Sequence, residues 1–286
     1  MGDITQRIRD HTSLLRPFNS FAIGIAVIVG EVVTLRGIPP PKEATLGFLT
    51  GFFISSSSMV FNDYFDVEAD SMNIPKRPLP SKRISMKEAL VAAFLWGIIG
   101  VFCSILLGPI NTLIALLFWL IGVIYSWVGK ATGLLGNLMV SVSVAIPYVF
   151  GGAAVGRPSD YVIITFFAVS LLANMGREVA KGIMDMKGDT IRSVKTVALQ
   201  YGVEAASRLS ALFLFTSVVL SWLPYIYGWL GIYYLAFVAV ADVAIAYPAI
   251  KMILRGNHIK IRRIKTEILV GMFLGLIAFI VGGLTS

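Results

Sequence analysis

Residues 44–70 read ATLGFLTGFFISSSSMVFNDYFDVEAD, and this stretch decides the fold. From Ala44 to Asn62 no side chain is charged. A helix of about 20 such residues is long enough to cross the hydrocarbon core of a bilayer. The run then ends in Asn62-Asp63-Tyr64-Phe65-Asp66-Val67-Glu68-Ala69-Asp70, four acids and an amide within nine residues. An apolar crossing that closes on a knot of carboxylates reads as a membrane helix with chemistry at its end.

The rest of the chain repeats the apolar half of that pattern. Of its 286 residues 57% are hydrophobic and 14% charged, against about 25% charged in ordinary soluble domains. Mean hydropathy is +0.82. These values exclude a soluble domain, a disordered tail and a small disulfide scaffold. We read nine spans, at 19–35, 44–63, 88–108, 110–127, 134–155, 160–177, 208–227, 230–250 and 267–284. The expected fold is all-α and polytopic, with nine transmembrane helices in one membrane-embedded domain over residues 1–286. Gly37 with Pro39–Pro41, Gly108-Pro109 and Gly228 mark breaks, and Ser85-Met86-Lys87-Glu88 has capping-box spacing.

Lysine and arginine set the orientation. Of the 24, 21 fall on the side of the N-terminus and the even-numbered loops; Arg36, Lys42 and Arg157 fall on the other. The positive-inside rule places the N-terminus and the two long loops, 64–87 and 178–207, in the cytoplasm and the C-terminus outside, in a multi-pass cell-membrane protein. Both long loops look partly helical. Residues 1–17, with Arg7, Arg9 and Arg16, are too polar for a signal-peptide core. The single Cys103 forms no intramolecular disulfide, and His11 and His258 are too far apart in sequence to suggest a metal site. The net charge of +8 points to membrane lipids and phosphate-bearing substrates rather than nucleic acid. No protein partner is inferable.

Two acid groups stand out. Asn62, Asp66 and Asp70 fall at i, i+4 and i+8, stacked on one helix face; Lys181, Asp185 and Asp189 repeat the step after the sixth span. Like charges at that spacing repel, so both groups ask for a shared cation. Oxygen ligands without histidine or cysteine select Mg²⁺, which takes a few carboxylates and leaves positions to water and phosphate. A lone Asp-x₃-Asp reads equally well as a solvated rim; two sets on one membrane side read as a site for metal-bound diphosphate. Arg77 and Lys130 supply bases of the kind that neutralise phosphate oxygens. Glu68 and Glu178 lie off the stacked faces and are expected to be solvated or ion-paired. Lys82, Arg83 and the 260–265 run read as ordinary positive-inside residues. Glu31 is expected to reach the interface, Asp242 to hydrogen-bond inside the bundle, and the Trp and Tyr residues of 222–234 to form an interfacial belt.

Asn62-Asp63-x₂-Asp66-x₃-Asp70 followed by Lys76-Arg77-Pro78 resembles the first signature of the UbiA superfamily of intramembrane prenyltransferases, and Lys181-x₃-Asp185-x₃-Asp189 resembles the second. Arg16-Pro17-x-Asn19, Tyr125-Ser126 and Lys130 also resemble family positions. The resemblance implies nine helices around a central cavity, capped by cytoplasmic loops. It implies Mg²⁺-dependent prenyl transfer from a prenyl diphosphate to an acceptor. Carried onto these residues, Asn62, Asp66 and Asp70 would hold one side of the magnesium–diphosphate and Asp185 and Asp189 the other. Arg77, Lys130 and Lys181 would neutralise it, and Asp63 would orient a base. Tyr125 is a candidate for stabilising cationic character through its π face, whereas Phe61 and Phe65 read as packing.

Gly176-Arg177-Glu178 with Lys181, Asp185, Gly188-Asp189 and Lys195-Thr196 resembles those archaeal members that add a second geranylgeranyl group to geranylgeranylglyceryl phosphate. Thr190-Ile191-Arg192-Ser193 departs from the small residues of many relatives. An aromatic acceptor such as 4-hydroxybenzoate or a naphthoate is the alternative. A polytopic transporter built on Glu31 and Asp242 is the rival of another class, disfavoured because the acids cluster at helix ends.

Overall fold

Long apolar runs broken by glycine and proline fold here into helices. The computed structural model describes residues 2–191, 194–255 and 261–286, except for the side chains of 2–5, 8, 69, 73, 187–189, 191, 255 and 262. Among the described residues nine helices are long and apolar enough to cross a membrane. The chain divides into two compact units, residues 1–28 with 40–128, and residues 29–39 with 129–286.

The first unit contains α1 (Gly2–Leu14), the start of α2 (Pro17–Leu35), α3 (Pro41–Phe65), the short α4 (Val67–Asn73), α5 (Met86–Ile105) and α6 (Pro109–Trp127). The serine run of α3 explains its packing on α5 and α6. Ser57 Oγ donates to the Ala93 carbonyl at 2.7 Å and accepts from Trp119 Nε1 at 2.7 Å. Small polar residues let membrane helices approach and bond across the gap. At Gly100 a Cβ would sit 2.8 Å from Ile54 Cγ1, so glycine sets the α3–α5 distance. The capping box at α5 has both arms: Glu88 N–H donates to Ser85 Oγ at 3.2 Å, and Ser85 N–H to Glu88 Oε2 at 2.8 Å. Gly108, at φ 129°, turns the chain into α6, where Pro109 takes the first position.

Helix α1 is an addition to the expected pattern. Its Leu14 is buried with Val60, Phe61, Leu79 and Ile84. Asp10 is buried too, and Arg83 Nε reaches both of its oxygens at 3.0 Å while Nη2 donates to the Lys76 carbonyl at 2.9 Å. Arg83 is therefore a staple between segments and not an ordinary surface cation.

The second unit contains the end of α2, a 3₁₀ turn (Gly129–Thr132), α7 (Leu134–Ala154), α8 (Tyr161–Ile191), α9 (Val197–Ser221), α10 (Leu223–Ile226), α11 (Ile232–Arg255) and α12 (Ile261–Leu284). Helix α8 packs along α9, and α11 along α12, over a core that includes Leu214, Ile245, Met252 and Ile268. The helices overrun the expected spans: α8 continues to Ile191 and α9 already starts at Val197. Ala, Lys, Met and Glu after the apolar run keep helix propensity high, and Thr196 caps α9 by accepting from Leu199 N–H at 3.3 Å.

Two intramembrane acids resolve differently. Asp242 accepts from Ser221 Oγ at 3.0 Å and Trp222 Nε1 at 2.9 Å, the internal bonding its position called for. Glu31, expected at the interface, is instead fully buried. Tyr148, Phe166 and Phe279 stack with centroids 4.2 and 4.1 Å apart. They line an apolar cavity of about 190 Å³ that also touches Ala173, Ile245 and Met272. Tyr161 and Tyr227 stack on Trp229.

Gly176 lies where α8 meets α9. A Cβ there would come within 2.7 Å of Leu214 Cγ, and Ser210 Oγ donates to the Gly176 carbonyl at 2.7 Å. Gly176→Leu is expected to destabilise the chain by about 1–3 kcal/mol through overpacking, read as a melting temperature several degrees lower in detergent.

Candidate active site

The first acid group sits where α3 gives way to α4. Asp66 closes one helix and opens the next, at φ −93° and ψ 3°. The backbone ladder nevertheless runs through the junction: Asp66 N–H donates to the Asn62 carbonyl at 3.0 Å, Asp70 N–H to Asp66 at 2.8 Å, and Ile74 N–H to Asp70 at 2.7 Å. The four-residue step of Asn62, Asp66 and Asp70 thus survives the end of α3. Asn62 and Asp66 are half-buried, whereas Asp63 and Asp70 are buried.

Two guanidiniums converge on Asp63. Arg16 Nη2 donates to its Oδ1, and Arg77 Nη1 lies 3.3 Å from the same oxygen. Arg77 Nη1 also donates to Asp70 Oδ2 at 2.5 Å. Arg77 therefore spans both buried carboxylates, and Asp63 holds two cations beside the acid ladder. Arg16 adopts φ 42°, a left-handed conformation that non-glycine residues rarely take. Held strain of this kind is common at functional sites. Asn19 is exposed, and its N–H caps back onto the Arg16 carbonyl at 2.9 Å. Tyr125 is half-buried, and Ser126 is buried with Oγ donating to the Gly122 carbonyl at 2.8 Å. Phe61 is core, and Phe65 stands edge-on to Tyr64.

The second group lies on α8. Glu178 is buried and ion-paired, accepting from Arg177 Nη1 at 2.7 Å and from Lys181 Nζ at 3.4 Å. Lys181 leans back one turn onto Glu178, with Asp185 at i+4 on the other side, and both positions lie within helical reach of it. Asp185 follows one turn on and is half-buried. Asp189 lies outside the described side chains, and Arg192, Ser193, His258 and Lys260 outside the described residues.

Lys130 sits on the 3₁₀ turn. Lys195 N–H donates to the Ala131 carbonyl at 3.2 Å, and Gly133, at φ 67°, has no room for a Cβ against the Lys195 carbonyl. Thr196 in turn packs over Gly182 of α8, with its Cβ 3.5 Å from where a Gly182 Cβ would stand. The turn carrying Lys130, the segment carrying Lys195 and the α8 turn after Lys181 are thereby joined.

The donor set is hard: carboxylate and amide oxygens, with amine and guanidinium bases beside them. Among the described residues no group of three acidic, histidine or cysteine side chains is placed to hold a metal ion. Mg²⁺ is commonly held by one or two carboxylates together with substrate phosphate. Asp70 gives one oxygen to Arg77 and keeps lone pairs on the other.

Among the described residues, nine helices long and apolar enough to span a membrane, with acid groups and bases of this kind, define a multi-pass membrane enzyme. The chain belongs to the UbiA prenyltransferase family, whose sequence pattern matches residues 23–280. It is 32% identical to the digeranylgeranylglyceryl phosphate synthase of Methanosarcina mazei over 287 residues, covering 96% of this chain and 98% of that protein. It is 33% identical to the synthase of the same name from Pyrococcus horikoshii over 278 residues, 95% of this chain and 96% of the other. A solved digeranylgeranylglyceryl phosphate synthase structure superposes with a TM-score of 0.90 at 28% identity, covering 98% of this chain and all of the other (100%). A UbiA homologue from Archaeoglobus fulgidus, bound to GPP and Mg²⁺, shares the fold with a TM-score of 0.69 at 18% identity, over 97% of this chain and 100% of that one.

The Asp63 contacts generate a direct test. Asp63→Asn removes the charge that gathers Arg16 and Arg77. It is expected to lower stability by about 1–3 kcal/mol, measured by thermal unfolding in detergent, with Asp63→Glu losing less.

Proposed function

We propose that this protein transfers a geranylgeranyl group from its diphosphate to geranylgeranylglyceryl phosphate, forming the second ether of an archaeal membrane lipid. The reading is carried by one observation: Arg77 bridges Asp63 and Asp70 at the end of a spanning helix, with Arg16 beside it. Such an arrangement suits an anionic headgroup whose hydrocarbon tail stays among the helices. The shared name of the relatives supports the lipid acceptor.

In this reading Asn62, Asp66, Asp70, Asp185 and Asp189 hold Mg²⁺ and the diphosphate that it binds. When bound, the metal supplies positive charge to the departing diphosphate. Arg77, Lys130 and Lys181 neutralise the same oxygens, and preorganised cations of this kind favour the charge that develops as the C1–O bond breaks. Asp63 positions Arg16 and Arg77. Asn19, Tyr125 and Ser126 belong to the substrate-binding surface, with the Tyr125 ring available to the electron-poor allylic carbon. The acceptor hydroxyl oxygen forms the new bond to C1, its proton leaves, and diphosphate departs with the electron pair. Apolar walls exclude the water that would otherwise take the carbon. The charge distribution further supports a cytoplasmic N-terminus and cytoplasmic acid groups, with the C-terminus outside.

The prenyl tail is assigned to the apolar cavity of the second unit. Along α8, Ala173 in the cavity wall lies 12 residues before Asp185. At the helical rise this is about 18 Å, within reach of an extended geranylgeranyl chain.

The decisive assay supplies purified protein with radiolabelled geranylgeranyl diphosphate, Mg²⁺ and either geranylgeranylglyceryl phosphate or 4-hydroxybenzoate, then separates the lipids. Product with the glycerol phosphate alone is expected; product with 4-hydroxybenzoate alone overturns the acceptor assignment. Asp66→Ala and Asp185→Ala are each expected to cost at least about a hundredfold in turnover with melting temperature little changed, and chelation of Mg²⁺ to abolish it. Ala173→Trp is expected to slow transfer from geranylgeranyl diphosphate more than transfer from geranyl diphosphate, because only the longer tail needs the filled space.

A further inference from the structure

A second concavity lies in the first unit, away from the acid ladder. It holds about 680 Å³ between α1 and the first turns of α5. Its rim is polar and carries His11 and Lys87. Its wall is apolar and descends through Val91, Leu95 and Trp96. Lys87 and Trp96 are nine residues apart on one helix, a drop of about 14 Å. That depth covers the headgroup layer and the upper part of the acyl region of one leaflet.

The two parts call for one amphiphilic occupant. Val91 is 60% and Leu95 53% exposed, which on a spanning helix means exposure to lipid chains. At the rim, Arg7 and His11 both act on the Glu88 carboxylate, and that carboxylate is already engaged by the Ser85 N–H at 2.8 Å. With Lys87 the local balance is cationic, complementary to phosphate. We infer that this groove binds one anionic membrane phospholipid, with its phosphate between His11 and Lys87 and a chain along Val91, Leu95 and Trp96.

The position gives the lipid leverage on the site. His11 is on α1, whose neighbouring Asp10 is clamped by Arg83. Just past α1, Arg16 reaches Asp63, and Asp63 shares Arg77 with Asp70. A lipid that pins α1 against α5 steadies the segment from which Arg16 springs.

The test uses the full chain in nanodiscs of phosphatidylcholine alone or with about a third phosphatidylglycerol, which supplies the negative surface potential that attracts basic groups. Native mass spectrometry of the released protein reads retained lipid, independently of any enzymatic activity. Wild type is expected to retain phosphatidylglycerol in preference to phosphatidylcholine and to melt at a higher temperature in anionic discs. Lys87→Ala and His11→Ala are each expected to weaken that preference about fivefold, the effect of one basic group at a charged membrane surface. Lys87→Arg keeps the charge and should keep the preference. Neither position touches the acid ladder, so turnover in phosphatidylcholine discs should be unchanged in all three variants. Undiminished phosphatidylglycerol preference in the two alanine variants overturns the inference. So does full reproduction of the thermal shift by inorganic phosphate in phosphatidylcholine discs, because the ligand would then be a free anion. Should an alanine variant fail to fold, Leu95→Trp fills the chain-binding wall instead and is expected to remove the same preference.

Discussion

A carboxylate at the end of an apolar helix is tolerable only if something answers its charge, and at Asp63 two guanidiniums do so. They arrive from opposite directions in the chain, Arg16 from just before α2 and Arg77 from beyond α4. One buried acid therefore ties three segments of the first unit together. The acid ladder of Asn62, Asp66 and Asp70 is built on that tie, because Arg77 passes from Asp63 directly to Asp70. Burial strengthens such contacts and makes the loss of any one partner costly.

The same logic accounts for other acids in the chain. Glu178 is satisfied by Arg177 and Lys181, and Asp242 by Ser221 and Trp222. Glu267 is shared by Lys251 and Arg263. In a low-dielectric setting polar groups find partners within the protein, and these acids have done so along or between adjacent helices. Asp185 sits one turn beyond Lys181 and is half-buried. The hydroxyls of Ser57 and Ser210 show the same economy, each bonding a carbonyl of a neighbouring helix.

Much of this was legible in the sequence, for identifiable reasons. Apolar run length reveals a spanning helix with little ambiguity, and Gly108-Pro109, Gly228 and the Ser85–Glu88 box mark boundaries through local backbone chemistry alone. The four-residue spacing of the acids is likewise local. What escaped depends on partners distant in sequence. Arg83 and Asp10 are separated by 73 positions, and no spacing rule connects them. Helix α1 earns its order from Leu14 entering a core made by α3 and α5, and that core is visible only after folding. The loop after the sixth span reads as partly helical, but how far α8 and α9 run into it does not show, because hydropathy registers the membrane's edge and is blind to a helix that continues past it. Lys181 has a carboxylate within helical reach on either side, Glu178 and Asp185, and spacing alone does not say which of them it meets.

The meeting of Gly133 with the Lys195 carbonyl has a practical side. Two stretches of backbone that look like independent connectors are, at that point, a single weld. Inserting a tag or a reporter into either one would pry the other loose. The hairpin at Gly228, where φ is 68° and nothing crowds the backbone, is the place where added sequence would hang freely.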